Sequence, residues 1–328
     1  MKKITLIGAN GKIGQKVLLL LPLLKLGKEQ LEVVLLDIFD DNSYTRMSGF
    51  IKDLEGAFSI RNNMNIKFKI TGDYKDTENS NLVVCMAGKW PTKEEKEKYK
   101  EKDPSGRLVQ SIVNKDLITN IIKELSDYCP KCLLLITTNQ VDIICSVANK
   151  INPDMNIIGL SGAVDSSRFK QIAKNEFNID LQGLMIGLHN NMMFPLKESI
   201  ISSNNVSDEI VEKITQRTRI LGKEISDNQK TGIENLGINT GASILPAYSI
   251  FQLIEGYCFG KEYIESYNIK VRNKKIADFY NIPLNCNMSL PVEVSKNKIK
   301  ISTKFNLSEE EKRKMFVLSK ELKQMLFG

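Results

Sequence analysis

Three side chains in the middle of the chain have the types and spacing for proton chemistry on an anion. Asp165 and Arg168 stand in the stretch Gly159-Leu-Ser-Gly-Ala-Val-Asp165-Ser-Ser-Arg168-Phe169. Their i, i+3 spacing puts both on one face of a helix. His189, the single histidine of 328 residues, closes the apolar run Leu184-Met-Ile-Gly-Leu188, which reads as a strand. A carboxylate beside an imidazole orients the ring and stabilises its charged form. A guanidinium grips a carboxylate through two parallel hydrogen bonds. Together the three can move a proton on a substrate held by its own negative charge. The alternative is purely structural: a first-turn helix acid, a surface arginine and a packed histidine, since supporting ion pairs outnumber catalytic ones.

What the rest of the chain builds decides between these. Lys3-Ile-Thr-Leu-Ile7 is a short apolar strand that meets Gly8-Ala-Asn-Gly11-Lys12-Ile13-Gly14, and a helix follows from Gln15. Strand, glycine loop and helix in that order form the setting of a dinucleotide-binding turn. Gly8 permits the tight turn, Gly11 lets backbone amides approach a pyrophosphate, and Gly14 lets the helix pack on the strand. The helix N-terminus, with Lys12 and Ile13 in the loop just before it, draws the phosphate charge. The second strand, Leu31-Glu-Val-Val-Leu-Leu36, ends at Asp37. An acid at that strand end accepts hydrogen bonds from ribose hydroxyls and repels a 2′-phosphate, which favours NAD over NADP.

Further along, 46–56 and 108–128 read as helices, while Lys67-Phe-Lys-Ile, Leu82-Val-Val-Cys-Met86 and Lys131-Cys-Leu-Leu-Leu-Ile136 read as strands. This alternation predicts an α/β fold with a doubly wound parallel sheet. Between Gly88 and Arg107 lie six lysines and five acids with few apolar positions. That segment is a solvated, partly helical excursion, or a mobile lid leaving a strand's carboxyl end. Asn152-Pro153-Asp154 is the best candidate boundary, giving a Rossmann-type domain over 1–150 and an α+β catalytic domain over 151–328. In the second part helices are expected near 165–177, 208–225, 243–256 and 308–326. A hairpin is expected across 292–301, and Ser308-Glu-Glu-Glu311 reads as a capping box.

Bulk properties exclude several classes. Hydrophobic content of 42% supplies a large core, and 328 residues suit two domains. The net charge is +7, but 46 basic and 39 acidic residues are intermixed and no basic stripe alternates with aromatics, so no nucleic-acid partner is expected. No run of eighteen uninterrupted apolar residues exists, so no membrane span is expected. The Leu-rich run near the start follows the glycine loop and contains Pro22, which argues against a signal peptide. Six scattered cysteines suit a reducing cytoplasm. Cys129-Pro-Lys-Cys132 has no second pair or histidine beside it, so no metal site is read there.

In this order and at these intervals the residues resemble the lactate/malate dehydrogenase family along essentially the whole chain. Gly8-Ala-Asn-Gly11-Lys-Ile-Gly14 resembles its nucleotide loop and Asp37 its ribose-binding acid. Arg107-Leu108 followed by Asn114 keeps the spacing of its mobile arginine and a cofactor-contacting asparagine. Thr137-Thr-Asn139-Gln-Val-Asp142 resembles its T-N-P-V-D segment. Val164-Asp165-Ser-Ser-Arg168-Phe169 is similar to its L-D-S-x-R-F, and Ile186-Gly187-Leu-His189 to the strand ending at the catalytic histidine. The resemblance implies an NAD-dependent oxidoreductase acting on a small L-2-hydroxy or 2-keto acid, as a homodimer or homotetramer. It implies proton transfer by His189 with Asp165, carbonyl polarisation by Arg107 and a grip on the substrate carboxylate by Arg168. Asn139 would meet substrate or cofactor; Thr137 and Asn114 would meet the cofactor.

Four departures stand out. The family's H-G-D is His189-Asn190-Asn191 here, so an Asn side chain at 190 is expected to crowd the substrate or shift the imidazole. Gln140 replaces the usual proline after Asn139, and a trans bond is expected there. The loop before Arg107 is longer than usual. Relatives that use malate carry a second arginine where this chain has Glu101, between Lys100 and Lys102. A lysine of the loop would suit the second carboxylate of oxaloacetate, whereas Trp90 would suit the methyl group of pyruvate. Two other readings compete. Tyr257-Cys-Phe-Gly-Lys261 has the Tyr-x-x-x-Lys spacing of short-chain dehydrogenases, though far too late in the chain and broken by Gly260. A non-catalytic nucleotide-binding paralogue would bind cofactor without turnover.

Overall fold

The structure is a computed structural model that describes residues 1–60, 65–99, 107–203, 205–230 and 241–327, apart from the side chains of Arg107, Lys230 and Phe327. The chain forms two compact units. The first comprises Met1–Leu160, Ala247–Tyr263 and Val294–Ile299; the second comprises Ser161–Pro246, Ile264–Glu293 and Lys300–Gly328.

In the first unit, strands β1 (Lys2–Ile7), β2 (Leu31–Leu36), β3 (Ile66–Thr71), β4 (Leu82–Cys85), β5 (Leu133–Ile136) and β6 (Asn156–Gly159) alternate with helices. These are α1 (Lys12–Leu20), α2 (Asp41–Ile60), α3 (Lys93–Tyr99), α4 (Arg107–Tyr128) and α5 (Val141–Ile151). The strands lie in the order β6-β5-β4-β1-β2-β3, and every neighbouring pair is parallel. The chain winds outward from β1 to β3, then returns to β4 and winds the other way. This is the doubly wound Rossmann arrangement, with its switch point between β1 and β4, where Ile7 stands opposite Cys85. Ligands of such sheets bind beyond the carboxyl ends of the strands at that point.

Helices cover both faces, so the strands can be apolar throughout rather than alternating. All four residues of β5 are buried. On one face α4 contributes Ile118, Ile121, Ile122 and Leu125, and α5 contributes Val141, Ile144, Cys145 and Ala148. Both sets pack on Val83, Cys85, Leu134 and Ile136. Each set follows the i, i+3, i+4, i+7 spacing of a single helical stripe. Helix α2 buries Met47, Ile51, Leu54 and Phe58. The Phe58 ring stacks on Phe68 of β3, with centroids 5.7 Å apart and planes 10° apart.

Helix α5 is not expected from the sequence, because Val141-Asp-Ile-Ile-Cys-Ser-Val is rich in β-branched residues; burial of its apolar stripe outweighs that weak preference. Asn152-Pro153-Asp154 lies between α5 and β6: the Asn152 side-chain oxygen accepts the backbone N–H groups of Asp154 and Met155 at 3.1 and 3.2 Å.

The second unit mixes helices with short antiparallel ribbons. Its elements are α6 (Gly162–Phe177), β7 (Leu181–Gln182), β8 (Met185–Ile186), β9 (Phe194–Pro195), β10 (Ile201–Ser202) and α7 (Asp208–Lys230). After α8 (Ile244–Leu253), most of which belongs to the first unit, come β11 (Tyr263–Lys270), α9 (Lys274–Tyr280), β12 (Asn287–Ser295), β13 (Lys298–Ile301) and α10 (Glu309–Phe327). Strands β7 and β10 pair antiparallel, as do β8 and β9. Phe169, Ile172 and Ala173 of α6 pack with Leu181, Met185, Met193, Val211 and Ile214. The capping box at α10 forms: Glu311 accepts from the N–H and hydroxyl of Ser308 at 2.8 Å, and its own N–H donates to the Ser308 hydroxyl at 3.2 Å.

Removing the Phe58 ring should open a cavity between α2 and β3. Phe58→Ala should cost about 3–5 kcal/mol, visible as a lower denaturant midpoint with an unchanged slope.

Candidate active site

The glycine loop after β1 is built by close backbone approach. Gly8 takes φ +80°, donates its N–H to the Leu36 carbonyl at 2.9 Å, and leaves only 2.8 Å between a hypothetical Cβ and the Ala87 nitrogen. At Gly14 a Cβ would fall 2.4 Å from the Ala9 carbonyl oxygen, so only glycine lets α1 sit this close to the loop. Gly11 precedes α1, and no side chain caps that helix N-terminus. A concave backbone with an uncapped helix start suits a pyrophosphate. Lys12 is exposed and Ile13 half-buried in the first turn.

Asp37, at the end of β2, faces the same loop. One carboxylate oxygen accepts the Asn10 backbone N–H at 2.8 Å and the other accepts that of Ile38 at 2.8 Å. Each oxygen keeps acceptor capacity for a ribose hydroxyl. The backbone concavity at Gly8, Gly11 and Gly14 and the acceptor capacity left on Asp37 fit a dinucleotide.

The next strand ends carry the remaining predicted residues of this unit. Asn114 of α4 is fully buried. Its side-chain oxygen accepts the Lys89 N–H at 2.6 Å, and its amide donates to the Lys89 and Gln110 carbonyls at 2.9 and 2.7 Å. It thus braces the chain just beyond β4. Thr137 donates its hydroxyl to the Cys85 carbonyl at 3.2 Å and Thr138 to that of Ala87 at 2.6 Å, while Asn139 is exposed. The Asn139–Gln140 peptide is cis, not trans as expected, and the Gln140 N–H donates to the Ser111 hydroxyl at 3.1 Å.

Arg107 opens α4, but its side chain lies outside the described residues, as do Lys100, Glu101 and Lys102. Of the lysine-rich segment, α3 is described: Thr92 and Glu95 form a capping box at 2.7 and 3.2 Å, and none of the helix is buried. Trp90 is 58% exposed. Lys261 lies beyond the helical turn that holds Tyr257 and pairs with Glu255 at 2.9 Å, so the Tyr-x-x-x-Lys reading has no helix to stand on.

In the second unit the acid, the imidazole and the guanidinium meet. His189 Nδ1 lies 2.7 Å from Asp165 Oδ2, and Arg168 Nη1 lies 3.7 Å from Asp165 Oδ1. The Asp165 side chain is 3% exposed, Arg168 10% and His189 20%, so only the imidazole keeps substantial access to solvent. With Nδ1 facing a carboxylate, proton exchange falls to Nε2. A buried carboxylate also stabilises the imidazolium far better than an exposed one could.

Several hydrogen bonds hold this geometry. The Ser166 hydroxyl donates to the Gly162 carbonyl at 2.8 Å and accepts the Met185 N–H at 3.0 Å, tying β8 to the helix that carries Asp165. The strand expected over 184–188 shrinks to Met185–Ile186 because Gly187 takes φ +104° and bridges Ser289 instead. A Cβ at Gly187 would meet Leu318 at 2.7 Å. Past His189 the chain turns back, and Arg219 of α7 donates to the Met193 carbonyl through Nε and Nη2 at 3.1 and 2.8 Å. Sequence reasoning missed this arginine, whose only signal is charge on a long helix. Asn190 does not displace the imidazole: its side-chain oxygen accepts the Met192 N–H at 2.8 Å, and its amide reaches Glu321 at 3.4 Å.

Comparison with known proteins agrees with this architecture. Residues 2–159 match the family model described as lactate/malate dehydrogenase, NAD binding domain. A malate dehydrogenase of Francisella philomiragia subsp. philomiragia is 28% identical over 339 residues, covering 99% of this chain and 96% of the relative. One of Francisella tularensis subsp. tularensis is 27% identical with the same coverage. Among solved structures, the malate dehydrogenase of Cryptosporidium parvum superposes with a TM-score of 0.80 at 21% identity, covering 99% of this chain and 98% of that one. The lactate dehydrogenase of the same organism, solved with lactic acid and nicotinamide adenine dinucleotide, gives 0.78 at 22%, covering 99% and 97%.

Behind α6, Glu265 of β11 is buried, with its Oε1 accepting the Ser266 N–H at 2.9 Å and its Oε2 3.7 Å from Lys170 Nζ. Desolvation raises its pKa above 4.5 despite the lysine. The folded protein therefore binds this proton more tightly than the unfolded chain. The resulting stabilisation is complete below 4.5 and is lost as pH rises through the folded value. Glu265→Gln should consequently gain stability relative to the unmodified protein as pH rises from 4.5 to 8, measured by urea unfolding; a pH-independent difference would contradict the assignment.

Proposed function

Because the chain belongs to the lactate/malate dehydrogenase family, we propose that it catalyses the reversible, NAD-dependent oxidation of an L-2-hydroxy acid, with malate/oxaloacetate as the favoured pair. The observation that carries the chemistry is the 2.7 Å contact between His189 Nδ1 and the buried Asp165 carboxylate, with Arg168 one helical turn away. The cofactor, when bound, supplies or accepts the hydride. Gly8, Gly11, Lys12, Ile13 and Gly14 would hold its pyrophosphate and Asp37 its adenosine ribose, while Asn114, Thr137 and Asn139 would line its nicotinamide half.

In the reducing direction His189, protonated, donates from Nε2 to the ketone oxygen, and Asp165 stabilises the imidazolium before transfer. In the oxidising direction the neutral ring takes the hydroxyl proton, and the charge it acquires sits against the carboxylate. Arg168 holds the substrate carboxylate through both arms of its fork. Arg107 polarises the carbonyl and stabilises the developing oxyanion. The first unit thus serves as the NAD-binding domain and the second as the catalytic domain. Malate is preferred because the curated relatives carry that name. Lactate/pyruvate is the second reading, supported by the exposed Trp90 at the start of the lysine-rich segment. We further propose a homodimer or homotetramer in the cytoplasm, a compartment that keeps its six free thiols reduced. Among the described residues no helix is long and apolar enough to cross a membrane.

The test is NADH oxidation, followed by absorbance, with oxaloacetate, pyruvate and longer 2-keto acids in turn. Turnover should be fastest with oxaloacetate; binding of NADH without turnover on any of them would leave a non-catalytic paralogue. His189→Asn should abolish turnover while NADH still binds. Arg168→Lys should lower kcat/KM at least about a hundredfold, since losing one charge-assisted hydrogen bond of about 3 kcal/mol has that effect and one ammonium cannot reproduce the fork. Near-normal kcat/KM in Arg168→Lys would remove the arginine from the substrate site.

A further inference from the structure

Helix α7 carries Gly222 in its interior, where glycine is among the least favourable residues for a helix. Neither a turn nor a positive φ requires it. The reason lies across the contact with α6. A Cβ built on Gly222 would fall 2.7 Å from Arg168 Nη1, 3.1 Å from its Cζ and 3.4 Å from Nη2. The guanidinium plane therefore occupies the volume that any other residue at 222 would fill. Asp165 Oδ1 stands 3.7 Å from the same Nη1. The fork thus has a carboxylate and a bare stretch of helix backbone as neighbours.

We propose that Gly222 is a positioning residue for the substrate carboxylate: its missing side chain sets where the Arg168 fork lies, and so where the substrate's acid group docks. The inference rests on the reading of Arg168 as the carboxylate clamp. Only the mobile end of an arginine stands in the way of a methyl group at 222, so the fold can accommodate one by moving the guanidinium. Stability and substrate recognition are thereby uncoupled. Alanine favours the helix, whereas bidentate recognition tolerates little displacement of the fork.

The experiment compares Gly222→Ala, Arg168→Lys and the double variant with the unmodified protein. In Gly222→Ala the melting temperature should stay level or rise, and the NADH dissociation constant should stay within twofold. The KM for the preferred 2-keto acid should rise at least tenfold, with kcat changed less. In the Arg168→Lys background, which lacks the planar fork, the added alanine should change kcat/KM by less than twofold. A KM in Gly222→Ala within twofold of the unmodified value overturns the proposal, as does an equal loss in both backgrounds. Should alanine at 222 block folding, the double variant must fold, since the obstructing group is gone; its failure to fold also overturns the proposal. An unmodified protein inactive on every 2-keto acid would instead refute the underlying reading, and this inference with it.

Discussion

The second unit is organised by the hydrogen bond between Asp165 and His189. A carboxylate that is 3% exposed has lost nearly all its hydration, and an isolated buried anion would neutralise or refuse to fold. Here it is matched by an imidazole at 2.7 Å and a guanidinium at 3.7 Å. The match works only if α6 and the turn after β8 keep a fixed separation. Ser166 sets that separation through its bond to the Met185 N–H, and Arg219 anchors the returning chain at Met193. Sites that must hold a ring to within a fraction of an ångström are supported in this way, by bonds whose only role is orientation.

The first unit solves its problem differently. Its loop is defined by backbone shape, and the side chains that matter there are absences: Gly8 and Gly14 leave room for Ala87 and Ala9. Asp37 contributes an acid, but even that acid is fixed by backbone N–H groups, those of Asn10 and Ile38. Asn114 hydrogen-bonds the backbone of Lys89 and Gln110 and so fixes the shape of the chain beyond β4. One unit thus presents amides and a cradle, the other a buried carboxylate against an imidazole and a guanidinium. A dinucleotide needs the former, because phosphates and ribose are recognised by amides and a single acid; a keto acid needs the latter, because its reaction moves a proton and a charge.

Much of this was legible in the sequence because it is local. The parallel sheet followed from apolar strands alternating with helical stripes, and the glycine loop from its place between a strand and a helix. The pairing of Asp165 with Arg168 followed from helical spacing, and the cap of α10 from Ser308 and Glu311. What escaped was either non-local or decided by a single backbone angle. Gly222 and Arg168 are neighbours only because α6 packs on α7, and no periodicity connects them. The run 184–188 looks like a strand until Gly187 turns it at φ +104° toward Ser289. Helix α5 was hidden by its β-branched residues, whose preference is weaker than the burial of a full apolar stripe.

The turn after His189 shows why a departure from the family pattern need not dismantle the site. Asparagine in place of glycine adds a polar branch beside the imidazole, which would matter if that branch pointed at the ring or if the turn required a left-handed backbone. Asn190 does not take a positive φ. Its side chain closes its own turn at the Met192 N–H and extends to Glu321 of α10. Burial raises the Glu321 pKa, which makes that carboxyl readier to share a proton or a hydrogen bond than an exposed one. The same helix places Leu318 under Gly187. The C-terminal helix therefore meets the chain on both sides of His189, and the added asparagine becomes one more tie between the two. The ties from α6, α7 and β12 to Gly187, His189 and Met193 use no atom of residue 191, so they do not depend on the acid of the family motif.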